Sequence, residues 1–143
     1  MKISNNFNYE ECFKEDHKDT QVVLNMAHLV NNILQPIRDK YGVVTVTSAY
    51  RSRKYNAEVG GVPDSQHCEG NAVDIVVLKA NLFEVFKYIV EFLPYDKIIY
   101  SIDTDRSVEW IHVSSRINKG ANRRIPLIEK IISGKKVFSR YEY

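Results

Sequence analysis

His67 and Asp74 stand seven positions apart around a glycine, in the stretch Ser65-Gln66-His67-Cys68-Glu69-Gly70-Asn71-Ala72-Val73-Asp74. Imidazole and carboxylate both suit Zn²⁺, and a catalytic zinc usually takes three protein ligands and keeps a fourth position open. A third ligand is therefore owed. Glu109-Trp110-Ile111-His112-Val113 supplies a candidate in His112, accompanied by Glu109 as a carboxylate suited to act as a base. Spacing alone leaves a second explanation open, in which a core histidine, a hydrogen-bonded aspartate and a strand histidine occur independently, because the helical His-Glu-x-x-His zinc motif is absent.

The elements that must position these residues follow from hydrophobic periodicity. Val22, Met26, Leu29, Val30, Ile33, Leu34, Ile37 and Tyr41 recur at helical spacing, so a long helix from Gln21 packs one face into the core. Pro36 should kink or restart it, and Gly42 is placed to end it. His28 lies beside the apolar positions and reads as a packed or boundary residue. His17, among Asp16, Lys18 and Asp19, reads as solvated.

Residues 43–48 are rich in β-branched side chains and form a strand, after which Ser52 caps a short helix to about Val59. A second apolar strand runs from Ala72 to Leu78. Asp74 stands out in it, because a buried acid is costly unless paired or bound to metal. Asn81 caps a second amphipathic helix ended by Pro94, and strands follow at 96–101 and 108–114, joined by the polar turn at 103–106. Residues 116–124 read as a basic loop, 126–133 as a short helix and 135–143 as a tail without assigned structure. The elements together predict an α+β domain with a small, mainly antiparallel sheet and helices on one side.

Composition sets the outer limits. The 143 residues suffice for one domain, with a lead-in over 1–20 and a C-terminal tail from about 126. Hydrophobic residues at 44% and charged residues at 27% are ordinary globular usage and argue against disorder. A net charge of +2, with basic residues scattered, argues against a nucleic-acid partner. Residues 1–13 carry Glu10 and Glu11 without a sustained apolar run, so they read as neither a secretory signal nor a membrane span. Cys12 and Cys68 offer one possible pair, weak ground for a disulfide, and Cys68 reads as a small buried hydrophobe.

The pattern Ser-x-His-x-x-Gly-x-Ala-x-Asp from Ser65 to Asp74, followed by Glu-x-x-His from Glu109 to His112, resembles the zinc D-Ala-D-Ala carboxypeptidase family. That family includes D-Ala-D-Ala dipeptidases and phage L-alanyl-D-glutamate endolysins. Ser48-Ala49-Tyr50-Arg51-Ser52 is similar to its Ser-Gly-Tyr-Arg-Ser segment, with Ala49 in place of the usual glycine, and the likeness covers roughly residues 22–125. The resemblance implies a hedgehog/D,D-peptidase-like fold and one Zn²⁺ held by His67, Asp74 and His112. It further implies Glu109 as general base and Arg51 as stabiliser of the oxyanion.

The implied activity is hydrolysis of a bond in the peptidoglycan stem peptide by a monomer. Such an enzyme would be made in the cytoplasm and act on the cell wall after release, as in phage-type lysis. A noncatalytic zinc-stabilised cell-wall-binding module is the alternative. Ser65 is either a substrate contact or a turn cap, and Trp110 reads as core, with a cleft wall as its other role. One geometric difficulty remains. Glu109 and His112 are three apart and face opposite sides of a regular strand, so an irregularity is expected near Glu109 or Trp110. Should Glu109 face away, Glu69, Asp103 and Asp105 are the other candidate bases.

Overall fold

The computed structural model describes residues 1–13 and 19–142, so His17 lies outside the described residues. A small antiparallel ribbon, β1 (Lys2–Ser4) with β2 (Phe7–Asn8), opens the chain and leads into a single helical turn, α1 (Tyr9–Cys12). Next comes α2 (Thr20–Leu29), whose first turn is capped by the Asp19 carboxylate accepting from the Gln21 and Val22 N–H groups. A π-helical turn (Val30–Leu34) joins it to α3 (Gln35–Tyr41), where Pro36 occupies the first turn.

The expected interruption at Pro36 thus takes a specific form. The Gln35 N–H reaches the Val30 carbonyl, five residues back, and the wider turn absorbs the donor that proline lacks. Leu29, Val30, Ile33, Leu34 and Ile37 all remain fully buried through the change of period.

The main sheet is built from β3 (Val44–Ser48), β4 (Ala72–Val77), β5 (Lys97–Asp103), β6 (Val108–Ser114), β7 (Ile125–Ile132) and β8 (Lys135–Arg140). Between β3 and β4 lies a short helix, α4 (Arg53–Glu58), and between β4 and β5 the amphipathic α5 (Leu82–Phe92). Their spatial order is β3-β4-β6-β5-β7-β8, antiparallel throughout except for the parallel pair β5 and β7. Ile75, Ile98, Tyr100 and Ile111 project from one face and join Met26, Ile33, Ile37, Phe86 and Ile89 in one hydrophobic core. The α+β architecture and the antiparallel character of the sheet follow the periodicity.

One expectation fails at the C-terminal end. Residues 126–132 are not helical but lie in β7, and the tail beyond the turn pairs with it as β8. Ser133 and Gly134 both have positive φ (52° and 75°), the geometry of a tight two-residue hairpin turn that matches strand twist. The Asp105 carboxylate accepts from the N–H groups of both (3.0 Å each), tying this turn to the one between β5 and β6. Ile128, Ile131 and Ile132 are β-branched and fit a pleated surface better than a helix.

Candidate metal centre

Strand alternation decides which side chains reach the open face. Asp74 on β4 is directly opposite His112 on β6, so both project from the same side, away from the core. The His112 Nδ1 lies 3.0 Å from the Asp74 Oδ1. His67 arrives from outside the sheet, on the 3₁₀ turn Gln66–Glu69, and places its Nε2 3.4 Å from the same oxygen. Candidate ligand atoms from the three residues all lie within 4.8 Å of one another.

Local sequence explains the delivery of His67. The Ser65 hydroxyl caps the 3₁₀ turn by accepting from the His67 N–H (3.2 Å), while Gly70 closes it in the left-handed region at φ 77°. A Cβ on Gly70 would come 2.6 Å from the Val22 carbonyl oxygen, so glycine is required there by space as well as by backbone angle. Ser65 therefore acts as a turn cap and also lines the cleft in front of the site.

A bulge in β3 supplies the other wall. The β3–β4 register shifts between Val46 and Ser48, opposite Asp74, and the Thr47 hydroxyl donates to the Asp74 carbonyl (3.2 Å). Beyond it, the segment Ala49 to Arg51 grips His67 twice. The Arg51 N–H donates to the His67 carbonyl (3.1 Å), and the His67 Nδ1 lies 2.6 Å from the Ala49 carbonyl oxygen. A carbonyl only accepts, so Nδ1 donates to Ala49 and the ring is turned with its Nε2 toward Asp74.

That arrangement fits a cation. Nitrogens of two imidazoles converge on the Asp74 carboxylate, and a second-sphere carbonyl orienting a histidine is the usual companion of a metal ligand. Burial by itself would raise the Asp74 pKa, yet the bonds with His112 and His67 outweigh it and hold the carboxyl well below the usual carboxylate range. Arg51 adds positive charge, its Nη2 3.6 Å from the Asp74 Oδ2. Its Nε donates to the Ser48 hydroxyl (3.2 Å) and its Nη1 to the Asn56 side-chain carbonyl (3.4 Å), which fixes the guanidinium in place.

Glu109 is not brought to this cluster. The β5–β6 register runs without interruption from Lys97–Ser114 to Asp103–Val108, so the irregularity expected near Glu109 or Trp110 is absent and lies instead at Thr47 on β3. Regular alternation sends Glu109 to the helix-facing side, where its carboxylate accepts a short hydrogen bond from the Tyr100 hydroxyl. Burial and that neighbouring carboxylate push the Tyr100 pKa upward. The other candidate bases are engaged elsewhere. Glu69 accepts from Asn71, Asp103 from Arg106, and Asp105 from the β7–β8 turn. Trp110, which read first as core, is half-buried on the open face and lines the cleft.

Two residues at the cleft escaped the sequence. Asp96 is fully buried and accepts from the Gln66 side-chain amide (2.9 Å), the Arg123 backbone N–H (2.7 Å) and the Arg123 Nη2 (2.9 Å), with the Arg116 Nε at 3.5 Å. It ties the residue before His67 to the loop after β6. Burial opposes its charge, but the Arg123 bonds prevail and hold its carboxyl below the ordinary range. The second is Glu129 on β7, which lines the same cleft of about 380 Å³. It was hidden by assigning its segment to a helix.

A family profile described as peptidase M15 matches residues 5–114. The chain belongs to the peptidase M15 family. That membership bears out the resemblance carried by the motifs around His67 and His112, and it makes the chain a metallopeptidase whose His-Asp-His cluster fits a metal ion. A comparison with curated proteins finds no match. The M15 match ends on the last residue of β6, so the β7–β8 hairpin and Glu129 lie beyond it. No helix among the described residues of this M15 peptidase is long and apolar enough to cross a membrane. Cys12 and Cys68 are both buried free thiols, and burial pushes the Cys12 thiol up to about 12. His28 stands outside the cluster, within hydrogen-bonding distance of Ser115 and Asn32.

Proposed function

We propose that this M15 peptidase binds one Zn²⁺ through His67, Asp74 and His112 and hydrolyses a peptide bond in the peptidoglycan stem. D-Ala-D-Ala carboxypeptidase and L-Ala-D-Glu endopeptidase activity are the two forms considered. The observation that carries the reading is the convergence of three donor side chains within 4.8 Å, beside a fixed arginine, in a chain of this family. When bound, zinc supplies Lewis-acid polarisation of the scissile carbonyl and lowers the pKa of a coordinated water to about 7.

The chain's own residues do the rest. Arg51 faces the open side beside Asp74 and offers guanidinium N–H groups to the oxygen on which negative charge develops, in a partly buried site where fixed dipoles act strongly. Ala49 holds the His67 ring in one orientation, and Asp96 holds the turn that carries it through Gln66. Trp110 and Ile99 form the apolar cleft floor on which a short peptide would lie. The proposed setting is the cell wall, with the protein acting as a monomer.

One observation favours the second reading, a zinc-stabilised cell-wall-binding module. Glu109, the base implied by the resemblance, points to the opposite face of the sheet. Incubation of the zinc-loaded protein with purified muropeptides, followed by mass spectrometry of the fragments, decides between them. Cleavage that His112→Ala abolishes supports the peptidase and names the bond. Stoichiometric zinc and retained sacculus binding without any cleavage would establish the module instead.

A further inference from the structure

Glu129 is only 6% exposed, yet among the described residues no hydrogen bond or ion pair reaches its carboxylate. Neighbours cover most of the side chain, while the carboxylate, unpaired, opens onto the cleft that contains His67, Asp74 and His112. Its direction is set by register. Glu129 is lateral to Ser101 on β5, which is opposite Trp110 on β6, two residues from His112. All four project from the open face. Lys97 and Lys136 line the same cleft, but neither forms an ion pair with Glu129.

Distance restricts what Glu129 does there. Two strand spacings separate β6 from β7, about 10 Å, whereas a proton acceptor must come within about 3 Å of the group it deprotonates. Glu129 is thus too far from the three ligands to act as the base for them. An extended peptide advances about 3.3 Å per residue, so a peptide with its scissile bond at the metal cluster carries a neighbouring long side chain as far as Glu129. Ser101, small and lying between, leaves the path open. The group that an unpaired carboxylate in a cleft selects is a cation able to donate several hydrogen bonds, which a primary ammonium does.

We infer that Glu129 is a specificity residue that receives the free side-chain ammonium of a diamino acid, of the lysine or diaminopimelate type, carried one or two residues from the bond that is cut. The assignment rests on the peptidase reading of the cleft. It accounts for a buried acid on a hairpin outside the segment matched to the family, where no metal ligand lies.

The test uses the full-length zinc-loaded protein and two stem peptides differing only in the side-chain amine, free in one and acetylated in the other. Wild type is expected to show a KM about ten-fold lower for the free amine, as expected for one charge-assisted contact, with similar kcat. Glu129→Gln should bring the two KM values within about two-fold, and Glu129→Asp should restore part of the difference. Because Glu129→Gln keeps the size of the side chain and breaks no hydrogen bond or ion pair among the described residues, its thermal midpoint should not fall, which separates lost recognition from lost folding. Titration calorimetry with the same peptides on the metal-free protein gives the preference without turnover. Equal KM values for both peptides in wild type, with cleavage intact, would overturn the inference and leave the peptidase reading standing. A binding preference that Glu129→Gln abolishes, with no cleavage of either peptide, would sustain the inference for Glu129 and remove the catalytic reading. A kcat that collapses equally on both peptides in Glu129→Gln would also overturn it, by giving the residue a role in the chemical step.

Discussion

The two faces of the main sheet treat their polar groups in opposite ways, and β6 shows the contrast within four residues. Ile111 and Glu109 face the helices, where Ile111 is fully buried and the Glu109 carboxylate is satisfied by the Tyr100 hydroxyl. His112 and Trp110 face the cleft, where nitrogens of two imidazoles and a carboxylate crowd together and Glu129 has no hydrogen-bond partner among the described residues. One face is finished by the chain itself. The other is completed by something that binds, which is the difference between a surface selected for stability and one selected for chemistry.

The largest expected effect comes from the ligands. Asp74→Ala or His112→Ala should abolish stoichiometric zinc, read by atomic absorption, together with all hydrolysis. Full zinc occupancy in both variants would remove the cluster as the metal site. Arg51→Ala should lower kcat by roughly 10²- to 10³-fold while zinc content stays complete, the range seen when one oxyanion donor is removed. Arg51→Lys should recover little of it, since a point charge does not reproduce the planar fork held by Ser48 and Asn56.

Asp96→Asn probes how the cleft wall is tied to the sheet. It should cost about 2 kcal/mol in urea unfolding, below the roughly 3–5 kcal/mol of a fully buried pair because Arg123 and Arg116 are partly solvated. The folded-state pKa of Asp96 is depressed, so its stabilisation is present above the unfolded pKa of about 3.9 and is lost as pH falls toward the folded value. Wild type should lose stability on acidification below about pH 4 more steeply than the variant. Parallel acid limbs would show that Asp96 is not the group responsible.

The smallest effect should come from Glu109→Gln, and it bears most directly on the contrast between the faces. With Glu109 on the helix side, activity should change by about twofold or less and stability by roughly 1 kcal/mol. A fall in kcat as large as that of Arg51→Ala would mean that Glu109 acts on the open face during turnover, and the division between the faces would fail at that residue.

Much of this arrangement was legible in the chain. The apolar period from Val22 to Tyr41 located the helical layer, and Asp74 announced itself as an acid in an apolar strand. The sidedness of Glu109 was legible too, since three positions along a strand reverse the face. The irregularity expected near Glu109 or Trp110 is absent, and a separate bulge at Thr47 serves Asp74 from the neighbouring strand. No local pattern marks it. The role of Asp96 depends on partners 27 and 30 residues away, so burial alone reveals it. The β7–β8 hairpin is hard to read from the sequence because Pro126 also suits the start of a helix, and Ser133-Gly134 is the turn signal that marks it.

The parallel pairing of β7 with β5 has a consequence for how such a protein can change. The chain leaves β6 at Ser114, passes the buried Asp96 carboxylate and lays β7 along the far edge of β5, after all the proposed zinc ligands and Arg51 are already in place. The hairpin of β7 and β8 therefore forms an appendage to the proposed centre. Exchanging that hairpin for another would alter which peptides the cleft accepts while leaving the chemistry intact, a route by which one hydrolytic core can be fitted to different walls.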